Sequence, residues 1–329
     1  MNFGIIGYGN IARRFFQSIQ HTKDGKVIAI GSKSLSHNQR FKQEHPEIQI
    51  YATYEELLAD PKIDAIYLAL PHQWHKEWSL KALECGIPVL CEKPAVLTID
   101  AMQEIMTASK QNQTLFMEAF KTKFNEGFEQ LKVDMKQLGA IKQIEASFCF
   151  DAGENLGTTS YLFQSKQGGA LNDVGTYSIG FVQALIEGKI EQIKAQGAIV
   201  NEIDEYFRSE LIFENGTRAI VEGGIDREKE RIARIIGEYG TISIPFFYRL
   251  DQYTIQLTNQ AAITRHFPIQ GDDMTLEIQH FMDILKANQS ESSAHSLDDT
   301  YRIIETMENI RKKCSPSNEE LLFLINTTV

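Results

Sequence analysis

The strongest constraint on this chain lies at residues 7–12. A short apolar run, Phe3–Ile6, ends in Gly7-Tyr8-Gly9-Asn10-Ile11-Ala12, and a helical pattern follows over Ile11–Ile19. Each small residue has a mechanical task. Gly7 permits a tight strand-to-helix turn, Gly9 lets the backbone approach a pyrophosphate, and Ala12 keeps the helix close to the strand. Asn10 and Ile11 open the helix, whose free N–H groups and positive dipole end suit phosphate. The G-x-G-x-x-A pattern is weak in isolation and strong here, because it follows a first strand and opens a helix. The same alternation continues, with strands expected at Val27–Ile30, Ile48–Tyr51, Ile63–Leu70, Val89–Cys91 and Thr114–Ala119. The intervening helices are expected at Tyr54–Ala59, His75–Glu84 (stopped by Gly86) and Ile99–Ser109. Continuously apolar strands separated by helices imply a parallel sheet covered on both faces, a Rossmann-type domain over residues 1–120.

The end of the second strand bears on the nucleotide. NAD-binding chains place an acidic residue about 20 positions after the glycines, on the ribose 2′-OH. Here the run is Ile30-Gly31-Ser32-Lys33-Ser34, without a carboxylate. Ser32 and Lys33 could bond and neutralise a 2′-phosphate, so NADP is favoured and NAD is the alternative. Most lysines are solvated, so the missing acid weighs more than the lysine present. After the fourth strand comes Leu70-Pro71-His72-Gln73-Trp74-His75, at the carboxyl end of the sheet where ligands bind. Pro71 and His75 are candidate cofactor contacts; the competing role for His75 is to cap the following helix.

From residue 121 the rhythm changes. A helix is expected near 124–137, a strand at Ile141–Phe150, a polar loop, and a helix from Ala170 to Ile186. Strands follow at Glu205–Phe213 and Thr217–Glu222 around Asn215-Gly216, a two-residue hairpin signal in which both positions tolerate positive φ. Others are expected at Arg234–Gly237, Thr241–Ile244 and near 253–258 and 262–267, then helices at Met274–Ala287 and Leu297–Lys312. Residues 121–329 therefore read as a C-terminal α/β domain with a large, mostly antiparallel open sheet, suited to substrate binding and oligomerisation. A length of 329 residues agrees with two domains.

Charge and cysteine content exclude several classes. Thirty-three basic against 44 acidic side chains give a net charge of −11, which argues against nucleic acid as a partner. Four scattered cysteines without a C-x-x-C pair suggest neither a disulfide framework nor a zinc site, and no His, Cys or carboxylate spacing implies any metal. Residues 1–7 enter a strand directly, without the pattern of a secretory leader, and no run approaches the ~20 apolar residues of a membrane span. A cytoplasmic protein without a membrane partner is expected. The apolar run Leu321–Ile325 could pack on the body or on a partner.

At Cys91-Glu92-Lys93-Pro94 a wider pattern emerges. Taken with the glycine loop, the run Ala82–Pro94, Met117-Glu118-Ala119-Phe120 and Gly168-Gly169-Ala170-Leu171-Asn172-Asp173-Val174-Gly175-Thr176-Tyr177, the chain resembles the glucose–fructose oxidoreductase/inositol dehydrogenase (Gfo/Idh/MocA) superfamily over essentially its whole length. Many members carry Asp-x-x-x-His in the last motif. Asp173-x-x-x-Tyr177 resembles instead the branch with dimeric dihydrodiol dehydrogenases, NADP-dependent xylose dehydrogenases and glucose–fructose oxidoreductase. The resemblance implies a homodimer through the C-terminal sheet and hydride exchange between a nicotinamide and a sugar, polyol or trans-dihydrodiol. Lys93 would stabilise alkoxide charge. Tyr177 would act as general acid/base, its pKa of ~10 lowered by a nearby ammonium. Asp173, one turn away, would orient the substrate or Lys93, and Glu92 would help close the cofactor site.

Each of these residues also has a plain structural role open to it. Lys93-Pro94 could be a strand-ending turn, Asp173 a helix N-terminal residue favoured by the dipole, and Tyr177 a half-buried core residue. Their joint occurrence behind a dinucleotide loop favours an enzyme over a catalytically silent dinucleotide sensor; an oxidoreductase that retains its cofactor between two sugars is a third reading, which requires very slow nucleotide release. Two departures from the branch, Lys121-Thr122-Lys123 in place of Trp-Thr-Arg and the lack of an arginine in 153–167, fall at expected substrate contacts.

Overall fold

The computed structural model describes residues 1–157, 159–269 and 271–314. The apolar run at 321–325 lies outside them. Two compact units emerge: Met1–Asn125 with Pro268–Tyr301, and Glu126–Phe267 with the chain from Arg302 onward.

In the first unit, β1 (Asn2–Ile6), β2 (Lys26–Gly31), β3 (Gln49–Tyr51), β4 (Ala65–Leu68), β5 (Val89–Glu92) and β6 (Phe116–Ala119) form one parallel sheet in the order β3-β2-β1-β4-β5-β6. This is the dinucleotide-binding order, and it reverses between β1 and β4, which opens a crevice at their carboxyl ends. Asn10–Ser18 buries Ala12, Phe15 and Ser18, and the Phe15 ring stacks on Tyr67 of β4 at 3.8 Å. Helix His75–Glu84 ends as expected: Gly86 takes φ +71° and donates to Leu83 O at 2.9 Å, and the Ile87 N–H reaches Ala82 O at 2.9 Å. This double bond satisfies the last carbonyls only with a left-handed residue, hence the glycine.

Pro268–Tyr301, expected in the C-terminal domain, belongs to this first unit. The reason is hydrophobic. Helix Thr275–Lys286 buries Ile278, Phe281 and Met282 in the same core as Phe3 and Phe15, with the Phe3 and Phe281 rings 6.0 Å apart. Periodicity shows that a helix has an apolar face but not which sheet receives it.

The second unit contains an eight-stranded sheet of β7 (Ile141–Cys149), β8 (Ile190–Val200), β9 (Ile203–Phe213), β10 (Arg218–Gly224), β11 (Ile232–Gly237), β12 (Gly240–Pro245), β13 (Gln252–Leu257) and β14 (Ile263–His266). Its order is β14-β13-β12-β11-β7-β10-β9-β8, antiparallel except for the parallel pair β7–β10. The mixed α/β class expected from the sequence is therefore observed. Helix Thr176–Leu185 packs on one face through Ile179, Phe181 and Val182, against Ala219 and Val221 of β10.

One turn differs from its expected form, and a second was not expected. At Asn215-Gly216 only Gly216 takes positive φ (+81°). Its N–H donates to Phe213 O at 2.9 Å, and the Asn215 side chain accepts from the Thr217 N–H at 2.9 Å. The loop is thus a three-residue connection with glycine in the left-handed position. The two-residue turn with both positions at positive φ lies instead between β8 and β9, at Asn201 (+49°) and Glu202 (+66°). Strand β8 gives no strand signal in the sequence, because only one of its residues is fully buried and its apolar residues do not alternate cleanly.

Candidate active site

The loop after β1 has the form a diphosphate requires. Gly7 sits at φ +86°, and a Cβ there would lie 2.8 Å from Ala69 O and from Leu70 Cδ2. At Gly9 a Cβ would meet nothing within 4 Å. Gly7 is thus a glycine because the protein crowds it, whereas Gly9 borders open space that a side chain would fill. Asn10 is exposed and Ile11 half-buried at the helix start, and Ala12 is buried under it. No side chain caps this helix and no acid occupies its first turn, so its N–H groups and dipole face the crevice unopposed. These features fit a dinucleotide.

The neighbouring candidates are differently engaged. Ser32 is buried and its hydroxyl accepts from the Leu35 N–H at 3.3 Å, capping the short helix Lys33–Ser36, on which Lys33 is exposed. No carboxylate follows β2 in these positions. Pro71 is exposed at the start of the turn after β4. His75 is fully buried, with Nδ1 2.9 Å from Pro94 O and Nε2 2.8 Å from Leu70 O. The ring ties the loop after β4 to the loop after β5, so both of its nitrogens are already occupied by protein.

Glu92 and Lys93 end β5, and the Lys93–Pro94 peptide is cis. Glu92 is buried; it accepts from the Tyr67 hydroxyl and, at 3.3 Å, from the Lys93 N–H. Burial pushes its carboxyl up, against the pull of Tyr67, Lys93 and Lys121. Glu118, on β6, locks the same loop from behind. One oxygen accepts from the Ala95 N–H at 2.9 Å, the other from His295 Nε2 at 2.9 Å and Thr300 Oγ1 at 3.2 Å. Burial holds His295 below its ordinary pKa despite Glu118, so the neutral ring donates through Nε2.

Lys121 and Lys123 stand where related sequences have Trp and Arg, positions expected to meet substrate. In the structure Lys121 Nζ lies 2.6 Å from Asp273, which also binds Arg14, and Lys123 Nζ lies 3.1 Å from Asp299. Both ammonium groups are therefore spent on carboxylates of the returning segment. Asp299 also closes a capping box with Ser296: its carboxylate accepts from the Ser296 N–H at 2.9 Å and its own N–H donates to Ser296 Oγ at 3.0 Å. The sequence carries this signal as Ser-x-x-Asp ahead of an apolar helix.

In the second unit, Gly168 and Gly169 pin a loop to a helix. A Cβ on Gly168 would collide with Leu162 O, and Gly169, at φ +103°, would meet Asp204 Oδ1 at 2.5 Å. Asp204 accepts from the Leu171 N–H at 2.6 Å. Asn172 donates to Gly168 O at 2.7 Å and accepts from Arg311 at 2.8 Å. Leu171–Gly175 forms a π-helical turn before helix Thr176–Leu185 begins, a local widening common at functional sites. Across residues 170–182 only Asp173 and Tyr177 are partly exposed; every other residue is buried. The Tyr177 ring lies 6.1 Å from Phe148 and 5.8 Å from Tyr248, which stack on each other at 4.4 Å. Tyr161, absent from the candidates drawn from sequence, brings its hydroxyl to 3.4 Å from Asp173 Oδ1. It opens a single 3₁₀ turn, Tyr161–Phe163, twelve residues before Asp173, where no spacing rule applies.

Residues 1–120 match the family model described as oxidoreductase family, NAD-binding Rossmann fold, and residues 131–243 match the GFO/IDH/MocA C-terminal domain. The chain belongs to the Gfo/Idh/MocA oxidoreductase family. Among its relatives within the family is scyllo-inositol 2-dehydrogenase (NADP(+)) of Bacillus subtilis (strain 168), 28% identical over 319 residues, with 95% of this chain and 97% of that protein covered. Another is trans-1,2-dihydrobenzene-1,2-diol dehydrogenase of Danio rerio, 28% identical over 329 residues and covering 95% and 96%. The fold matches that of an aldose-aldose oxidoreductase from Caulobacter crescentus with a TM-score of 0.84 at 17% identity, covering 95% and 97% of the two chains. This family member is an NAD(P)-dependent oxidoreductase, and these likenesses favour that activity over a silent dinucleotide sensor.

The contrast between the two glycines is testable. Gly9→Ala should fold with near wild-type stability yet weaken NADPH binding at least tenfold in a fluorescence titration. Gly7→Ala should lower stability by about 1–3 kcal/mol in urea unfolding, from positive φ and the Ala69 contact. Wild-type affinity in Gly9→Ala would remove that residue from the binding surface.

Asp299 predicts an acid limb. Burial pushes its carboxyl up, but Lys123 and the Ser296 N–H hold it down at about 2. Its folded pKa lies below the unfolded value near 3.9, so this stabilisation is complete above about pH 4 and is lost as pH falls toward 2, roughly 2 kcal/mol in all. Urea midpoints from pH 6 to pH 2 should fall less steeply for Asp299→Asn, which starts lower; parallel slopes would refute the assignment.

Proposed function

We propose that this chain moves hydride between NADP and the carbinol or carbonyl carbon of a neutral, multiply hydroxylated substrate, a sugar, polyol or trans-dihydrodiol. The observation that carries this reading is the pair Asp173 and Tyr177, alone in reaching the surface of an otherwise buried helix start. Lys93 follows the carboxyl end of β5 in the dinucleotide unit. The substrate class is supported by the relatives whose names specify inositol and dihydrodiol. NADP is supported by the missing acid after β2, by exposed Lys33 and by the NADP(+) in the name of the Bacillus relative, with NAD as the alternative.

When bound, the nicotinamide supplies the two-electron acceptor or donor. In the oxidative direction the carbinol C–H bond breaks and its electron pair leaves as hydride. The hydroxyl proton passes to Tyr177 as phenolate and from there to water, and the carbonyl forms. The Lys93 ammonium stabilises the negative charge that develops on the substrate oxygen. Asp173 accepts a hydrogen bond from a neighbouring hydroxyl and so orients the reacting carbon.

The same proposal includes a reduced, cytoplasmic setting, supported by cysteines that are all unpaired among the described residues. It also includes a homodimer through the eight-stranded sheet. The sheet face opposite helix Thr176–Leu185 supports this, because it leaves the apolar side chains of Ile212 on β9 and Ile220 on β10 only half-buried.

Lys93→Ala and Tyr177→Phe should each reduce kcat by roughly 10²–10³-fold. NADPH binding should change by no more than about threefold, as expected when transition-state contacts alone are removed. NADPH absorbance against scyllo-inositol, aldoses and trans-dihydrodiols reads the first quantity and a fluorescence titration the second. Near-full turnover in either variant would defeat the assignment. Light scattering should return about twice the chain mass of 37.4 kDa, and a mass of one chain would dismiss the dimer.

A further inference from the structure

The turn segment that carries Tyr161 is fastened to the element that carries Asp173. Ser160 Oγ accepts from the Leu162 N–H at 3.4 Å, and Ser160 O from the Phe163 N–H at 3.1 Å. The Gly168 N–H donates to Gln164 O at 2.7 Å and the Gly169 N–H to Leu162 O at 2.9 Å. Leu162 is buried in the second core. The backbone of Gly168 runs so close that an added methyl would also stand 2.9 Å from Tyr161 O. Tyr161 is therefore a held projection: the residue is 39% exposed, and its hydroxyl donates to Asp173 Oδ1 at 3.4 Å.

That separation is long for a phenol on a carboxylate, where about 2.5–2.7 Å is usual. A carboxylate has about four acceptor sites and a phenol accepts as well as donates, so neither group is limited to one partner. Asp173 only accepts, whereas Tyr161 both donates and accepts. Side by side they match two adjacent hydroxyls, one donating to the carboxylate and the next exchanging a bond with the phenol. The loop at 153–167 adds one lysine and one glutamate, so it brings no net charge to select an ionic substrate.

We infer that Tyr161 is a specificity-determining residue that reads the hydroxyl next to the reacting carbinol, so that the site selects vicinal diols over simple alcohols. This inference rests on the reading of Asp173 and Tyr177 as the substrate-facing pair. Tyr161→Phe keeps the ring and removes only the hydroxyl.

With scyllo-inositol as the vicinal probe and NADP as coenzyme, KM should rise roughly tenfold in Tyr161→Phe while kcat stays within about twofold, the pattern of lost uniform binding. With cyclohexanol as the single-hydroxyl probe, kcat/KM should not change, and neither should the NADPH dissociation constant or Tm. A residue that only packs would move Tm and both alcohols together, and that outcome, or an unchanged KM for scyllo-inositol, overturns the inference. Tyr177→Phe, run in parallel, separates the levels. If it retains turnover, the underlying reading fails. If it is inactive and Tyr161→Phe behaves as wild type, only the role of Tyr161 fails. Should wild type turn over neither probe, saturation-transfer NMR of scyllo-inositol on the NADP complex replaces KM, and absence of binding there also overturns the inference.

Discussion

At the end of β1 the main chain of Gly7 presses against the carbonyl of Ala69 while its N–H bonds to Gly31 O at 3.1 Å. Three strands meet at this point, and only a residue without a side chain, in the left-handed region, lets them do so. The first helix can then begin next to the reversal in strand order and present its free N–H groups to the crevice. Phe15 settles on Tyr67, Tyr67 bonds to Glu92, and Glu92 precedes Lys93. A backbone requirement at one glycine thus extends by direct contacts to the base of the candidate lysine.

The candidate chemistry sits on braced supports in each unit. Around Lys93 the brace is polar: His75 and Glu118 each reach a backbone group in the segment Pro94–Ala95. Each is buried, and an unpaired buried polar group is costly, so the loop has few alternative positions. Around Asp173 the brace is steric: Gly168 and Gly169 are pressed against Leu162 and Asp204, and the π-turn shifts the register of helix Thr176–Leu185. Rigid support of this kind suits a reaction whose rate depends on holding atoms in place.

The parallel sheet was legible because most of its strands are largely apolar runs between helical segments, and the Gly7–Ala12 pattern has few mechanical meanings. Lys93, Asp173 and Tyr177 stand in motifs whose spacing is itself informative. The side chains around them were harder to read. Nothing in Pro71-His72-Gln73-Trp74-His75 reveals that His75 turns inward to two carbonyls, because its partners lie five and nineteen residues away. Ser32 reads in sequence as a contact for a 2′-phosphate, and in the structure its hydroxyl caps a helix. Lys121 and Lys123 resemble exposed cations in sequence, and their carboxylate partners are separated from them by more than 150 residues. The hairpin at Asn201–Glu202 escaped notice because a glutamate rarely occupies a left-handed position.

The return of Pro268–Tyr301 to the first unit makes the two bodies interleaved along the chain. A fragment ending at Asn125 would lack the helix that shields Phe3 and Phe15, leaving an apolar sheet face to water and to other chains. Anyone wishing to transplant the second body onto another scaffold must carry two stretches, 126–267 and the chain from Arg302, and join them across the gap. Gene fusions and truncations that treat this protein as two consecutive modules would divide a single hydrophobic core.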